Sequence, residues 1–177
     1  MPYLSADASK LHPWRERLAS DGPADLRVGL AWAGRPTHPN DRRRSLALNM
    51  LSPFTHVSDG VVFYTLQKGE AARQTQSPPP GMRLIDHTEH LRDFDDTAAM
   101  IANLDLVICA DTAVAHLAGA LAKPVWVLLP FVGDWRWLRD RDDSPWYPTM
   151  RLFRQDRSGE WRPAIRRVAD ILSCQSG

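Results

Sequence analysis

The residues best suited to chemistry lie in C109-A-D-T-A-V-A-H-L-A-G-A120, where an apolar run stops at Asp111-Thr112 and a small-residue helical pattern follows. A strand that hands over to a helix leaves the first backbone N–H groups of that helix without intrahelical acceptors. With the helix dipole behind them, those donors favour a phosphate. The Thr112 hydroxyl is expected to cap the helix. His116 stands four residues further on, one turn along the same face, where it could donate to a phosphate or a sugar hydroxyl. A structural reading stays open: Asp111 and Thr112 as caps alone, and His116 as a half-buried, satisfied histidine.

Three other stretches carry candidate groups. Arg35 to Arg44 is a polar loop with two prolines and four arginines, readable as a phosphate-neutralising loop or as a solvated turn. Gly29 to Gly34 has the spacing of a phosphate-binding loop, but Arg35-Pro36 stands where Lys and Ser/Thr must follow, and no G-x-G-x-x-G is present. Asp134-Trp135-Arg136-Trp137 follows an apolar run. Its tryptophans could stack on a base, pack beneath the last loop or cover a face buried against another unit. His87-Thr-Glu-His90 pairs two histidines without a third ligand cluster, and Asp93, Asp95 and Asp96 read as a helix start, so no metal is expected.

These groups need a scaffold, and the chain alternates strand and helix patterns. Ser5 to Ala19 reads as a helix capped by Ser5, with Leu11, Trp14 and Leu18 on one face. Val28–Ala33, Val61–Leu66, Met82–Asp86, Leu106–Ala110, Val125–Leu129 and Met150–Phe153 read as strands. Between them fall a modest helix at Leu46–Val57 and one or two turns at Glu70–Gln76. A helix capped by Asp93 runs to Asn103 with Phe94, Ala98 and Ile101 inward, and another spans Thr112–Leu121. Pro163–Ser173 closes the chain as a helix with Ile165, Val168 and Leu172 inward. Continuous apolar strands alternating with helices call for a parallel sheet covered on both faces, a doubly wound, mostly parallel, Rossmann-like α/β fold. Residues 1–177 are expected to form one domain, with 1–22 as an N-terminal helix or linker.

The bulk composition narrows the class. The 177 residues, 44% hydrophobic and 24% charged, suffice for one core. A net charge of +1 suggests neither a generalised nucleic-acid surface nor a membrane surface. Val125 to Val132, the longest uncharged apolar run, is too short to span a bilayer, and the first residues lack a signal-peptide pattern, so a cytoplasmic location is expected. Cys109 lies in an apolar run and reads as a small core residue.

D111-T-A-V-A-H-L-A-G-A-L-A-K-P124 resembles the donor-side motif of glycosyltransferase family 9, the heptosyltransferase-like enzymes. It is closer still to the glycosyltransferase domain that follows tetratricopeptide repeats in many bacterial proteins. Five further stretches agree in order: V28-G-L-A-W-A-G34, N40-D-R-R-R-S45, F63-Y-T-L-Q-K-G-E70, D93-F-D-D-T-A-A99 and D134-W-R-W-L-R-D-R-D-D-S-P-W-Y-P148. The resemblance implies one half of a GT-B protein, the half that holds a nucleoside-diphosphate sugar. The acceptor and the usual catalytic base would belong to an N-terminal half or a partner chain.

By position, Asp111, Thr112 and Ala113 would meet the diphosphate and the transferred sugar, Ala113 standing where heptosyltransferases tend to have glycine. His116 would lie beside phosphate or ribose. Arg44, with Arg35 and Gly34 in the same loop, would neutralise the leaving diphosphate. Glu70 would meet the ribose or base, with Lys68 beside it, and Asp134 and Trp135 would complete the donor contacts. Arg44 and Asp111 are the residues given catalytic roles, and no cofactor is implied. The implied reaction moves a sugar to an acceptor hydroxyl. A nucleotide-binding module without turnover and half of a sugar-nucleotide epimerase are the alternatives. Exposed apolar surface on an isolated half would favour homo-oligomers.

Overall fold

The computed structural model describes residues 2–57 and 59–175. Helix α1 spans Ala8–Ser20, strand β1 Leu26–Ala31, a single turn α2 Asp41–Arg44, and strand β2 Val61–Thr65. Strand β3 is only Leu84–Ile85, followed by α3 at Phe94–Ala102, β4 at Leu106–Ala110, α4 at Ala113–Ala120, β5 at Val125–Leu129, β6 at Met150–Arg154 and α5 at Trp161–Gln175. The six strands form one sheet of order β3-β2-β1-β4-β5-β6, and every neighbouring pair is parallel. The doubly wound, Rossmann-like expectation therefore holds.

The strand period of two explains the two layers of core. Along β4, Leu106, Ile108 and Ala110 face one layer with Val28, Leu30, Leu128, Phe153, Ile165, Val168 and Leu172. Val107 and Cys109 face the other, with Trp14, Leu18, Tyr64, Ile101, Val125 and Trp137. Both faces of β4 are dry, which is why its sequence is an unbroken apolar run. Burial at Cys109, with the Asp111 charge nearby, pushes its thiol far up, so it stays protonated.

Several local expectations shift. Helix α1 starts at Asp7, not Ser5, because the Asp7 carboxylate accepts from the Ser9 N–H at 2.8 Å. The Leu46–Val57 stretch is a 3-10 segment over Leu48–His56, with Pro53 inside it. The loop after β1 contains the turn α2. Phe94, expected inward, is 65% exposed, while Ala98, Ala99, Met100 and Ile101 form the buried face of α3. Residues 8–20 are part of the globule: Trp14 and Leu18 are buried, and the Asn103 side-chain amide donates to Leu11 O at 3.0 Å.

The strand order positions the site. The chain winds outward through β1, β2 and β3, then returns to lay β4 against β1 and winds outward the other way. The loops leaving β1 and β4 diverge at that reversal, and in open α/β sheets the crevice between such loops, at the strands' carboxyl ends, receives ligands.

Candidate functional site

The site grows from the ends of β1, β2 and β4. Beyond Ala31 the chain is held by Gln67, a buried side chain just past β2. Its carbonyl oxygen accepts from the Trp32 and Ala33 N–H groups at 2.9 and 2.8 Å, and its amide donates to Ala33 O and Lys68 O. A buried amide satisfied at both ends fixes where the loop departs.

Two residues on, the Gly34 N–H donates to Ser45 Oγ at 2.9 Å. The Ser45 hydroxyl donates to Asp41 at 2.8 Å, and Asp41 lies 3.6 Å from Arg44 Nε. Arg44 Nη1 then donates to the Asp111 backbone carbonyl at 2.8 Å, crossing from the β1 loop to the β4 loop. A Cβ on Gly34 would stand 2.5 Å from an Arg44 nitrogen and 2.6 Å from Asp41, so only glycine leaves room for this clamp. Sequence spacing marks the clamp in hindsight: Asp41, Arg44 and Ser45 are three and four apart, hence on one side of a helical turn. Asp41, Ser45 and Gln67 were not among the expected site residues, because each acts through another residue.

At the end of β4, Thr112 occupies the cap position of α4 with extended backbone, yet its hydroxyl makes no capping bond, contrary to expectation. The Thr112 Oγ1 is buried and has no partner among the described residues. There is no acidic side chain in the first turn of α4.

Two cavities meet at this helix start. One, of ≈ 370 Å³, is lined by Arg43, Arg44, Asp111, His116, Asp134 and Arg136, among others. The other, of ≈ 430 Å³, is the more apolar and is lined by Gly34, Arg35, Leu66, Gln67, Phe94 and Val114, among others. Arg44, Thr112 and Ala113 line both. The structure thus brings Gly34, Arg35, Arg44, Asp111, Thr112, Ala113, His116 and Asp134 to one crevice.

The remaining expected residues are placed differently. Lys68 also lines the second cavity, but its ammonium is turned to Thr88 O and Leu91 O, each at 2.9 Å. Glu70 is exposed at the start of a 3-10 segment, Glu70–Gln76, and lines neither cavity. Trp135 is 67% exposed with the Arg136 guanidinium over its ring, whereas Trp137 is fully buried. His87 pairs with Asp21 at 2.8 Å and its ring packs against Trp14. Among the described residues no group of three or more His, Cys, Asp or Glu could hold a metal ion.

Charge in the first cavity is mixed, with three arginines against Asp111 and Asp134. His116 stacks on Trp137 at 5.2 Å between ring centroids, and its Nδ1 is 3.2 Å from the Tyr147 hydroxyl. Burial pulls its pKa below the usual histidine value, with Asp111 opposing that shift, so the ring is neutral at neutral pH. Burial pushes the Asp134 carboxyl up, but the Arg136 N–H and guanidinium outweigh it and hold the group below the usual range. A neutral histidine, clamped arginines and unpaired helix N–H groups can together hold a diphosphate without adding another full charge.

Residues 92–128, running from the start of α3 through β5, match the model of glycosyltransferase family 9 (heptosyltransferase). At the level of family, the resemblance to glycosyltransferase family 9 holds. Protein FlbA of Caulobacter vibrioides is 31% identical over 175 residues, covering 96% of this chain and 28% of that protein. The structure of E. coli ADP-heptose lps heptosyltransferase II superposes with a TM-score of 0.67 at 13% identity, over 98% of this chain and 53% of that one. The family 9 glycosyl transferase of Veillonella parvula superposes at 0.58 and 14% identity, over 97% of this chain and 48% of that one. At such identities the two structures speak for the fold alone. The chain spans about half the length of each solved structure and little more than a quarter of the curated relative. None of its helices is long and apolar enough to cross a membrane, among the described residues.

Proposed function

We propose that this chain is the donor-binding part of a glycosyltransferase, holding a nucleoside-diphosphate sugar at the reversal between β1 and β4. The observation that carries the reading is the α4 start. Free helix N–H groups face two cavities that meet beside Arg44, with the buried, unpaired Thr112 hydroxyl just behind the lining. The diphosphate sits over Thr112 and Ala113 with Arg44 beside it. The nucleoside lies in the more apolar cavity beside Phe94, and the sugar points toward Asp111 and His116. Arg35 at the rim adds long-range attraction, and Glu70 reaches the ribose only after its exposed side chain turns inward.

In the transfer, the bond between the sugar's anomeric carbon and the diphosphate oxygen breaks, and the leaving diphosphate takes the electron pair. The acceptor oxygen bonds to the same carbon and gives its proton to a general base contributed from outside these residues. Arg44 and the α4 N–H groups stabilise the charge that develops on the diphosphate, which is where preorganised donors lower a barrier most. The match of residues 92–128 to the glycosyltransferase family 9 model supports sugar transfer as the general activity.

Titration calorimetry of the chain with UDP, ADP, GDP and CDP tests this. One of them is expected to bind saturably, and Asp111→Ala is expected to weaken binding of its sugar conjugate more than of the diphosphate itself. Failure of all four to bind would overturn the reading and favour a structural remnant.

A further inference from the structure

His116 borders two spaces at once. One is the Arg44 cavity, and the other is an aromatic cleft of ≈ 390 Å³ lined by Tyr3, Trp135, Arg136, Trp146 and Tyr147 beside it. The imidazole lies over the fully buried Trp137, 5.2 Å between centroids and 21° between planes. Its Nδ1 stands 3.2 Å from the Tyr147 hydroxyl. Tyr147 lines the cleft and not the Arg44 cavity, so that contact reaches the ring from the cleft side. Across the ring, Nε2 makes no hydrogen bond to the protein among the described residues and is left to the cavity.

The Tyr147 ring is itself held in place. His116 and Gly119 are three apart and share a face of α4, so one tyrosine meets both. A Cβ on Gly119 would stand 2.6 Å from Tyr147 Cγ, so the helix backbone sets that ring. The Tyr3 ring meets it edge-on at 6.0 Å, and the Tyr3 hydroxyl donates to Trp146 O at 2.8 Å. His116 is the one hydrogen-bond partner of the Tyr147 hydroxyl among the described residues. Burial first, and Tyr3 second, hold the Tyr147 phenol above its ordinary pKa, so it keeps its proton. A neutral imidazole carries a single N–H, and the nitrogen that bears it is set by what the other nitrogen accepts.

We infer that Tyr147 is a positioning residue: its O–H donates to His116 Nδ1 and fixes the proton on Nε2, so that the ring offers an N–H to the Arg44 cavity. The reverse arrangement would leave the Tyr147 proton without an acceptor in the protein. It would also turn a bare Nε2 lone pair toward a cavity that already holds the Asp111 and Asp134 carboxylates. The arrangement inferred satisfies the phenol and presents an anion with a donor. Because Trp137 holds the ring plane, Tyr147 governs where the proton sits and not where the ring lies. What the Nε2–H serves rests on the donor-site reading, in which it donates to the bound diphosphate. The position of the proton does not rest on that reading.

The test is nitrogen NMR of ring-labelled histidine at about pH 8, where imidazoles are neutral. It compares wild type, Tyr147→Phe and Gly119→Ala, with the His116 signals assigned by their loss in His116→Gln. In wild type, Nε2 is expected at the shift of a protonated nitrogen and Nδ1 at that of a bare one. In Tyr147→Phe the two signals move toward each other as the second tautomer becomes populated. Gly119→Ala, which keeps the phenol but displaces it, moves them the same way. Calorimetry with whichever of UDP, ADP, GDP and CDP binds is expected to show roughly two- to fivefold weaker binding to Tyr147→Phe. A wild-type proton on Nδ1, or shifts unchanged in Tyr147→Phe, would overturn the inference. Changed shifts with unchanged diphosphate affinity would also overturn it, because the tautomer would then position nothing. Failure of wild type to bind any of the four would instead sink the donor-site reading, with the proton's position still decided by the NMR comparison.

Discussion

The two helices on either side of β4 in the chain, α3 and α4, begin in opposite ways. At α3 the Asp93 carboxylate accepts from the Asp96 N–H at 2.8 Å, and Asp96 accepts from the Arg92 N–H at 3.0 Å. Lys10 of α1 closes on both, 2.8 Å from Asp96 and 3.2 Å from Asp93. The N–H of Asp96 and the hydrogen bond from Lys10 hold the two carboxyls below their usual range. At α4 the corresponding residue, Thr112, has a similar extended backbone but makes no capping bond. One helix start satisfies its own donors and ties α1 to the globule. The other leaves them open beneath a clamped arginine. A helix N-terminus has donors to offer a ligand only where the chain leaves them open.

That contrast can be broken most sharply at Arg44. Arg44→Ala is expected to weaken the diphosphate by roughly 10–100-fold, the range of one lost charge-assisted hydrogen bond of ~1.5–3 kcal/mol. The bare nucleoside should be almost unaffected, and equal weakening of both in calorimetry would remove Arg44 from the diphosphate.

The next effect is a crossed pair. Asp93→Ala is expected to lower the melting temperature by a few degrees, as loss of a cap does, and to leave nucleotide affinity alone. Thr112→Ala is expected to do the reverse. Its hydroxyl has no partner to lose, so melting should hold or rise slightly, while diphosphate affinity falls by about fivefold. Thermal melts and titrations of the two variants side by side decide it, and the contrast fails if Thr112→Ala behaves like Asp93→Ala.

The smallest effect is electrostatic. Because burial depresses the His116 pKa below 6.5, the unfolded chain binds its proton first as pH falls. Stability is therefore expected to decline as pH drops through about 6.5 and to level off below the folded value. His116→Gln should remove that slope from melting curves taken between about pH 5 and 8. An unchanged slope would mean another group is responsible.

Much of this molecule was legible from local pattern. The apolar runs at Val61, Leu106 and Val125 are strands because a strand dry on both faces cannot carry polar residues. Asp93 as a cap and the inward residues of α5 were equally readable, since both depend on neighbours within one or two turns. Phe94 misled because a helix-period pattern gives no sign that the first residue of a helix can overhang a crevice rather than face the core.

What the sequence determined by itself was the alternation of strand and helix and the strand-to-helix handover at Asp111-Thr112. Both are short-range consequences of side-chain period and backbone donors. What only the tertiary structure decided was which loops meet there. Strand order set β1 beside β4, so Arg44 could reach the Asp111 carbonyl 67 residues away. It also separated Trp135 from Trp137, one open to the cleft and the other in the core. Residues so far apart in the chain come together only through the packing of the whole sheet, and no local pattern records that.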